Sequence, residues 1–156
     1  MDDAKKKAAA KAVYDDLCAV IDEKGWKYEK FDDDLVITLK LYGEDIPMDF
    51  IFMADADRQL VKVFSKLPFV VPEDKRMDLA IATCIVSNGI VDGSFDYDIS
   101  KGVIMFRMTA SFMESKIGKG LFDYMIKCSC FVVDEYNDKF LALSKGFMTI
   151  QDFIKK

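Results

Sequence analysis

Apolar and polar positions recur along this chain with two periods, three to four residues in some stretches and two in others, and the changes of period mark the elements. From Ala4 to Lys24, Val13, Leu17, Val20 and Ile21 follow one another at helical spacing among Ala and Lys, and Gly25 comes next as a stop, which predicts an amphipathic helix. Trp26 to Phe31 alternates large apolar with charged side chains, the period of a half-buried strand, and Asp32-Asp33-Asp34 predicts a turn. Further strands are expected at Leu35 to Tyr42, Ile46 to Ala54 and Gln59 to Phe69, separated by Gly43-Glu44-Asp45 and Asp55-Ala56-Asp57. Connections this short join antiparallel neighbours.

Pro72 suits the first turn of a helix, and Glu73 and Asp74 favour the positive end of its dipole, so a second helix is expected there. Met77, Ala80, Ile81, Cys84 and Ile85 form its apolar stripe, and Asn88-Gly89 predicts a left-handed ending. Ser94 to Ile99 and Val103 to Phe112 alternate again as a hairpin, with Phe95, Tyr97 and Ile99 sharing a face with Ile104, Phe106, Met108 and Phe112. Gly118-Lys119-Gly120 reads as the start of a long helix and not as a phosphate loop, because the spaced upstream glycine and a following Ser or Thr are missing. Its stripe, Phe122, Met125, Ile126, Ser129, Val132, Val133, Tyr136, Phe140 and Leu143, fits about 24 residues or ~36 Å, ending at Gly146. Thr149 with Asp152 predicts a capping box for a short last helix.

The resulting order, α-β-β-β-β-α-β-β-α-α, predicts an α+β fold: an antiparallel β-sheet with helices packed mainly on one face, spanning residues 1–156 as a single domain. The central strands carry apolar groups on both faces. Met48, Phe50 and Phe52 mark one; Ile51 and Met53 mark the other, with Val103 and Met105 as neighbours and Thr38, Lys40, Asp49, Arg107 and Thr109 interleaved. That second face is expected to be covered by the second helix or a loop, or else to be a docking surface. The candidate partner or ligand surface is therefore Ile51, Met53, Met105 and Arg107. Arg107 needs a partner if buried, and Asp96 or Asp98 across the hairpin can supply it; otherwise it could anchor a ligand.

Composition narrows the chemistry. The 156 residues are 51% hydrophobic and 31% charged, which suits one folded globule. A net charge of -5 argues against nucleic acid or anionic membrane as partner, and the Lys5, Lys6, Lys7 and Lys11 cluster is diluted by Asp2, Asp3, Asp15 and Asp16. With no histidine, imidazole bases, histidine zinc ligands and histidine proton switches are excluded. Neither acidic turn continues into a calcium-binding loop, and no Gly-x-Ser-x-Gly occurs, so no catalytic residue, metal or cofactor is expected. Cys18, Cys84, Cys128 and Cys130 are expected as free buried thiols. Trp26 and the nine methionines are expected in the core. The start lacks the apolar core of a signal peptide and no run of apolar residues could cross a bilayer, so a cytoplasmic location is expected.

Val71-Pro72-Glu73-Asp74-Lys75-Arg76, Asn88, Gly93-Ser94-Phe95, Asp98, Gly102, Arg107, Asp134, Tyr136 and Leu143 form a dispersed pattern. On these residues the stretch from Leu67 to Gly146 resembles the YbjN family of bacterial proteins, whose fold is similar to that of type III secretion chaperones. The resemblance implies a sensory or regulatory protein with no established catalytic residues, and the chaperone likeness implies a homodimer that holds a client on apolar patches. The expected function is thus non-enzymatic binding of a second copy or another protein. The alternative is a small-ligand sensor with a pocket between sheet and helices near Arg107.

Overall fold

The computed structural model describes residues 2–155. Among them, α1 (Asp3–Glu23) leads into β1 (Glu29–Phe31), β2 (Val36–Leu41), β3 (Met48–Asp55) and β4 (Leu60–Lys66). A 3-10 turn (Glu73–Lys75) opens α2 (Arg76–Gly89), and β5 (Ser94–Asp98), β6 (Val103–Ser111), α3 (Lys119–Ser144) and α4 (Ile150–Lys155) complete the chain. This is the α+β order that the two periods predict. The strands form one six-stranded sheet in the order β1-β2-β3-β4-β6-β5, every neighbouring pair antiparallel.

One sheet face and the helices enclose the core. Ile37, Phe50, Phe52, Val61, Val63, Ile104 and Phe106 meet Tyr14, Leu17 and Ile21 of α1 and Phe122, Ile126, Val133 and Phe140 of α3, all essentially without solvent contact. Each such side chain contributes about 1.5–3 kcal/mol of transfer free energy. Phe140 sits at an aromatic junction, edge-on to Phe95 with ring centroids 5.0 Å apart and stacked on Phe153 at 6.0 Å. The predicted capping box closes both ways: the Thr149 amide donates to Asp152 Oδ2 and the Asp152 amide to Thr149 Oγ1.

Both sheet edges are guarded. At β5, Ser87 of α2 accepts from the Phe95 amide at 3.0 Å and donates to its carbonyl, so one helix side chain occupies two groups that would otherwise solicit another strand. At the opposite edge β1 is only three residues long and pairs with Val36–Thr38 alone. The sequence pattern extends that strand back to Trp26, but Gly25 turns at φ +69° and residues 26–28 run outside the ladder.

Several expectations are corrected. The α2 stripe faces outward: Leu79, Ala82, Thr83 and Val86 are its buried residues, whereas Met77, Ile81, Cys84 and Ile85 are exposed. The reason is that α2 must lie close over β5, and the face with Ala82 and Thr83 permits the closer approach. Gly89 is not left-handed; α2 runs straight into extended Ile90, and the positive φ falls at Gly93. Ile99 belongs to the exposed turn and not to the core face. Of the four free cysteines only Cys18 is buried; Cys128 and Cys130 are half-buried and Cys84 is exposed. Met77 and Met113 are exposed and Trp26 is half-buried, so neither the tryptophan nor the methionines are uniformly core.

Candidate functional site

The four residues proposed for a binding surface lie together on the sheet face away from the helices. Ladder alternation fixes this, since the neighbours Phe50, Phe52, Phe106 and Met108 all point into the core. Ile51 and Arg107 are linked through Phe64, which faces both across the ladder; Met53 stands two residues from Ile51, and Met105 two from Arg107. Phe64 is the member that sequence reasoning missed. The alternation Leu60, Lys62, Phe64, Lys66 against Val61, Val63, Ser65, Leu67 carries the signal, because only the second set is buried. Val36 and Phe31 prolong the apolar line toward β1.

No described helix or loop covers this face, contrary to one of the two expectations. Ile51 is 41% exposed, while Met53, Phe64 and Met105 are half-buried by their neighbours and by charged side chains. Lys40 pairs with Asp49 at 3.5 Å, Lys62 with Asp55 at 2.5 Å, and Arg107 with Asp96 at 2.9 Å. Asp55 is pulled below its ordinary carboxylate value by the Arg58 amide and by Lys62. The expected pocket beside Arg107, between sheet and helices, is not formed, because alternation aims Arg107 away from the helices and its guanidinium engages Asp96 twice.

The outer side of α2 is a second uncovered surface. Met77, Ile81 and Ile85 stand one above another at four-residue spacing, 67%, 44% and 42% exposed. Ile85 also lines, with Ile154, a cavity of about 280 Å³ between α2, α3 and α4. Within α2 only Arg76 and Asp78 are charged, both in its first turn.

A third feature opens where residues 25–28 leave the sheet edge: a groove of about 660 Å³ against the β2–β3 hairpin and α3. Trp26, Tyr42 and Phe131 line it, as does Cys130, whose thiol burial pushes up to about 11. Its back wall is fixed by Asp134. The two carboxylate oxygens both lie 3.1 Å from the Glu44 amide and accept from it, and a Cβ on Gly43 would fall 2.0 Å from Oδ1, so any larger residue there would push the Asp134 carboxylate aside. One turn along α3, Asn137 donates to the Ile46 carbonyl and holds the same hairpin. Beside the groove Asp123 receives both Lys127 and Lys24, at 2.7 and 2.5 Å, and these hold its carboxyl down at about 2.

The residues that carry the family resemblance hold the chain in shape. Gly102, at φ +68°, accepts from the Val71 amide at 2.8 Å, and a Cβ on it would strike the Val71 carbonyl at 2.4 Å. Arg76 donates to the carbonyls of Val71 and Ser100, and Asp98 caps the same turn by accepting from Ser100 and Lys101. The hairpin turn is thereby latched to the start of α2. Among the described residues no three of the Cys, Asp and Glu side chains group to hold a metal ion, and no helix is long and apolar enough to cross a membrane.

No family model and no curated protein matches the chain. Among solved structures it is similar to the crystal structure of YbjN from E. coli, described as a candidate transcription regulator. That match has TM-score 0.58 and 14% sequence identity, and covers 80% of this chain and 91% of that one. The chain therefore has the fold of YbjN, as the dispersed residues between Leu67 and Gly146 imply.

Proposed function

We propose that the chain is a non-enzymatic bacterial protein that acts by binding protein, in a chaperone-like or regulatory manner, and that it pairs with a second copy of itself through the outer side of α2. The description of YbjN as a candidate regulator is in keeping with a protein that works by contact. The observation that carries the reading is the stripe Met77, Ile81 and Ile85, three large aliphatic groups in water on one helix face. From Met77 to Ile85 the stripe runs ~12 Å, two turns of helix. Laid against its own copy about a twofold axis it would be covered end to end. With only Arg76 and Asp78 charged, both in its first turn, α2 brings little like-charge repulsion to such an approach.

Light scattering on wild type, Ile81→Lys and Ile51→Lys tests this. Wild type should show twice the 17.8 kDa chain mass. Ile81→Lys should return to the single mass with unchanged circular dichroism, and Ile51→Lys should keep the double mass. A single-mass wild type would end the self-association, and a pair split by Ile51→Lys alone would move it to the helix-free sheet face. That face, with Ile51, Met53, Phe64 and Met105, is the surface left for another protein when α2 is occupied.

A further inference from the structure

The groove beside residues 25–28 has a chemistry unlike the rest of the surface. Its lining contains three lysines, Lys27, Lys40 and Lys127, and a single carboxylate, Asp134, although the whole chain is net -5. The Asp134 carboxylate accepts from the Glu44 amide, which fixes it against the loop after β2 but leaves its single negative charge in place. Lys127 shares Asp123 with Lys24, so one carboxylate answers two ammonium groups and one positive charge is left over. Lys27 has no carboxylate within ion-pair distance among the described residues and adds a second. The walls are aromatic. Tyr42 and Phe131 are 77% and 70% exposed, among the most water-facing large rings of the fold, and Trp26 is half-buried with the Lys24 ammonium 5.3 Å from its ring centroid. A volume of about 660 Å³ lies within the range of small-molecule sites. The Cys130 thiol stays neutral at physiological pH, so it adds no negative charge to the lining.

We propose that this groove binds a small planar aromatic anion, its ring among Trp26, Tyr42 and Phe131 and its carboxylate, sulfonate or phosphate at Lys27 and Lys127. The rings supply stacking area, and the Lys27 ammonium, with Lys127 whose one carboxylate is shared with Lys24, selects for negative charge. The site shares no residue with the α2 stripe and takes only Lys40 from the helix-free face, so it stands or falls separately from self-association.

Two dyes that share their rings and differ in charge make the test: anilinonaphthalene sulfonate and its uncharged parent N-phenylnaphthylamine. Trp26 is the single tryptophan of the chain, so energy transfer from it reports dye bound nearby. The sulfonate should saturate one site and bind about tenfold tighter than the neutral dye, the difference expected of two exposed charge contacts. Lys27→Gln with Lys127→Gln should erase that preference and leave the neutral dye unchanged. Phe131→Ala, a change at an exposed position, should weaken both dyes. Competition by benzoate and by phenyl phosphate then separates a carboxylate from a phosphate ligand. Equal affinity for the two dyes, sulfonate binding indifferent to the lysine pair and Phe131, or no saturable binding with transfer from Trp26 would each overturn the proposal.

Discussion

Helices α2 and α3 both carry apolar residues at helical spacing, yet the fold uses them in opposite ways. In α3 the stripe from Phe122 to Leu143 is the face that enters the core, with Tyr136 at its margin. In α2 the most apolar stripe looks into water while Leu79, Ala82, Thr83 and Val86 are buried. The difference lies in what each helix covers. α3 lies across the broad middle of the sheet, where large rings fill depth. α2 lies against the β5 edge, where Ser87 must reach the Phe95 backbone and small side chains must allow it. A stripe of large residues is therefore a statement about burial somewhere, and the local geometry decides whether the chain itself or a partner provides it.

Substitutions on the two helices sharpen this contrast. Phe140→Ala, at the aromatic junction of α3, should lower unfolding free energy by about 3–5 kcal/mol, read from urea denaturation; a loss below ~1 kcal/mol would mean that the junction is not packed as described. Leu79→Ala on the inner side of α2 should lower it by about 2–3 kcal/mol, the low end for a buried leucine because Ala82 and Thr83 leave room to close in. Ile85→Ser on the outer side should change single-chain stability by less than ~0.5 kcal/mol. If Ile85→Ser proved as damaging as Leu79→Ala under conditions where the protein is monomeric, the assignment of inner and outer faces would be reversed.

The smallest effect is electrostatic. Lys127 first and Lys24 second hold Asp123 at about 2 in the fold, against 3.8 for a free side chain. Because the folded value is the lower one, this stabilisation is complete above the unfolded value and disappears as pH falls through the folded value. Asp123→Asn should therefore lower the urea midpoint slightly at neutral pH, and its curve should merge with wild type near pH 2. A difference that persists unchanged at that pH would show that the carboxylate charge is not what joins the end of α1 to α3.

Much of this architecture is legible in the sequence because local signals and global packing agree. The Thr149–Asp152 cap and the α3 stripe each need only near neighbours to be recognised, and each forms as expected. The failures share one cause, a decision made at long range. The alternation from Trp26 to Phe31 is that of a strand, but Gly25 and the anchored β2–β3 hairpin hold residues 26–28 off the ladder and open the groove. Arg107 sits in an apolar strand that suggests burial, yet only the register reveals that it shares the open face with Phe64. Asp134 reads as one more helix acid, and its grip on the loop after β2 depends on Gly43, distant in sequence. The candidate surface of Ile51, Met53, Met105 and Arg107 came from parity alone, since side chains two apart on a strand must share a side.

The clasp of Ser87 on Phe95 bears on how large any assembly can grow. With one margin of the ribbon array partly occupied by a hydroxyl and the other trimmed to three residues that include Glu29 and Lys30, neighbouring molecules find only short stretches of backbone along which to add. Crowding then favours closed, countable complexes over fibres, and a lone loss of that hydroxyl, as in Ser87→Ala, is where such restraint would first give way.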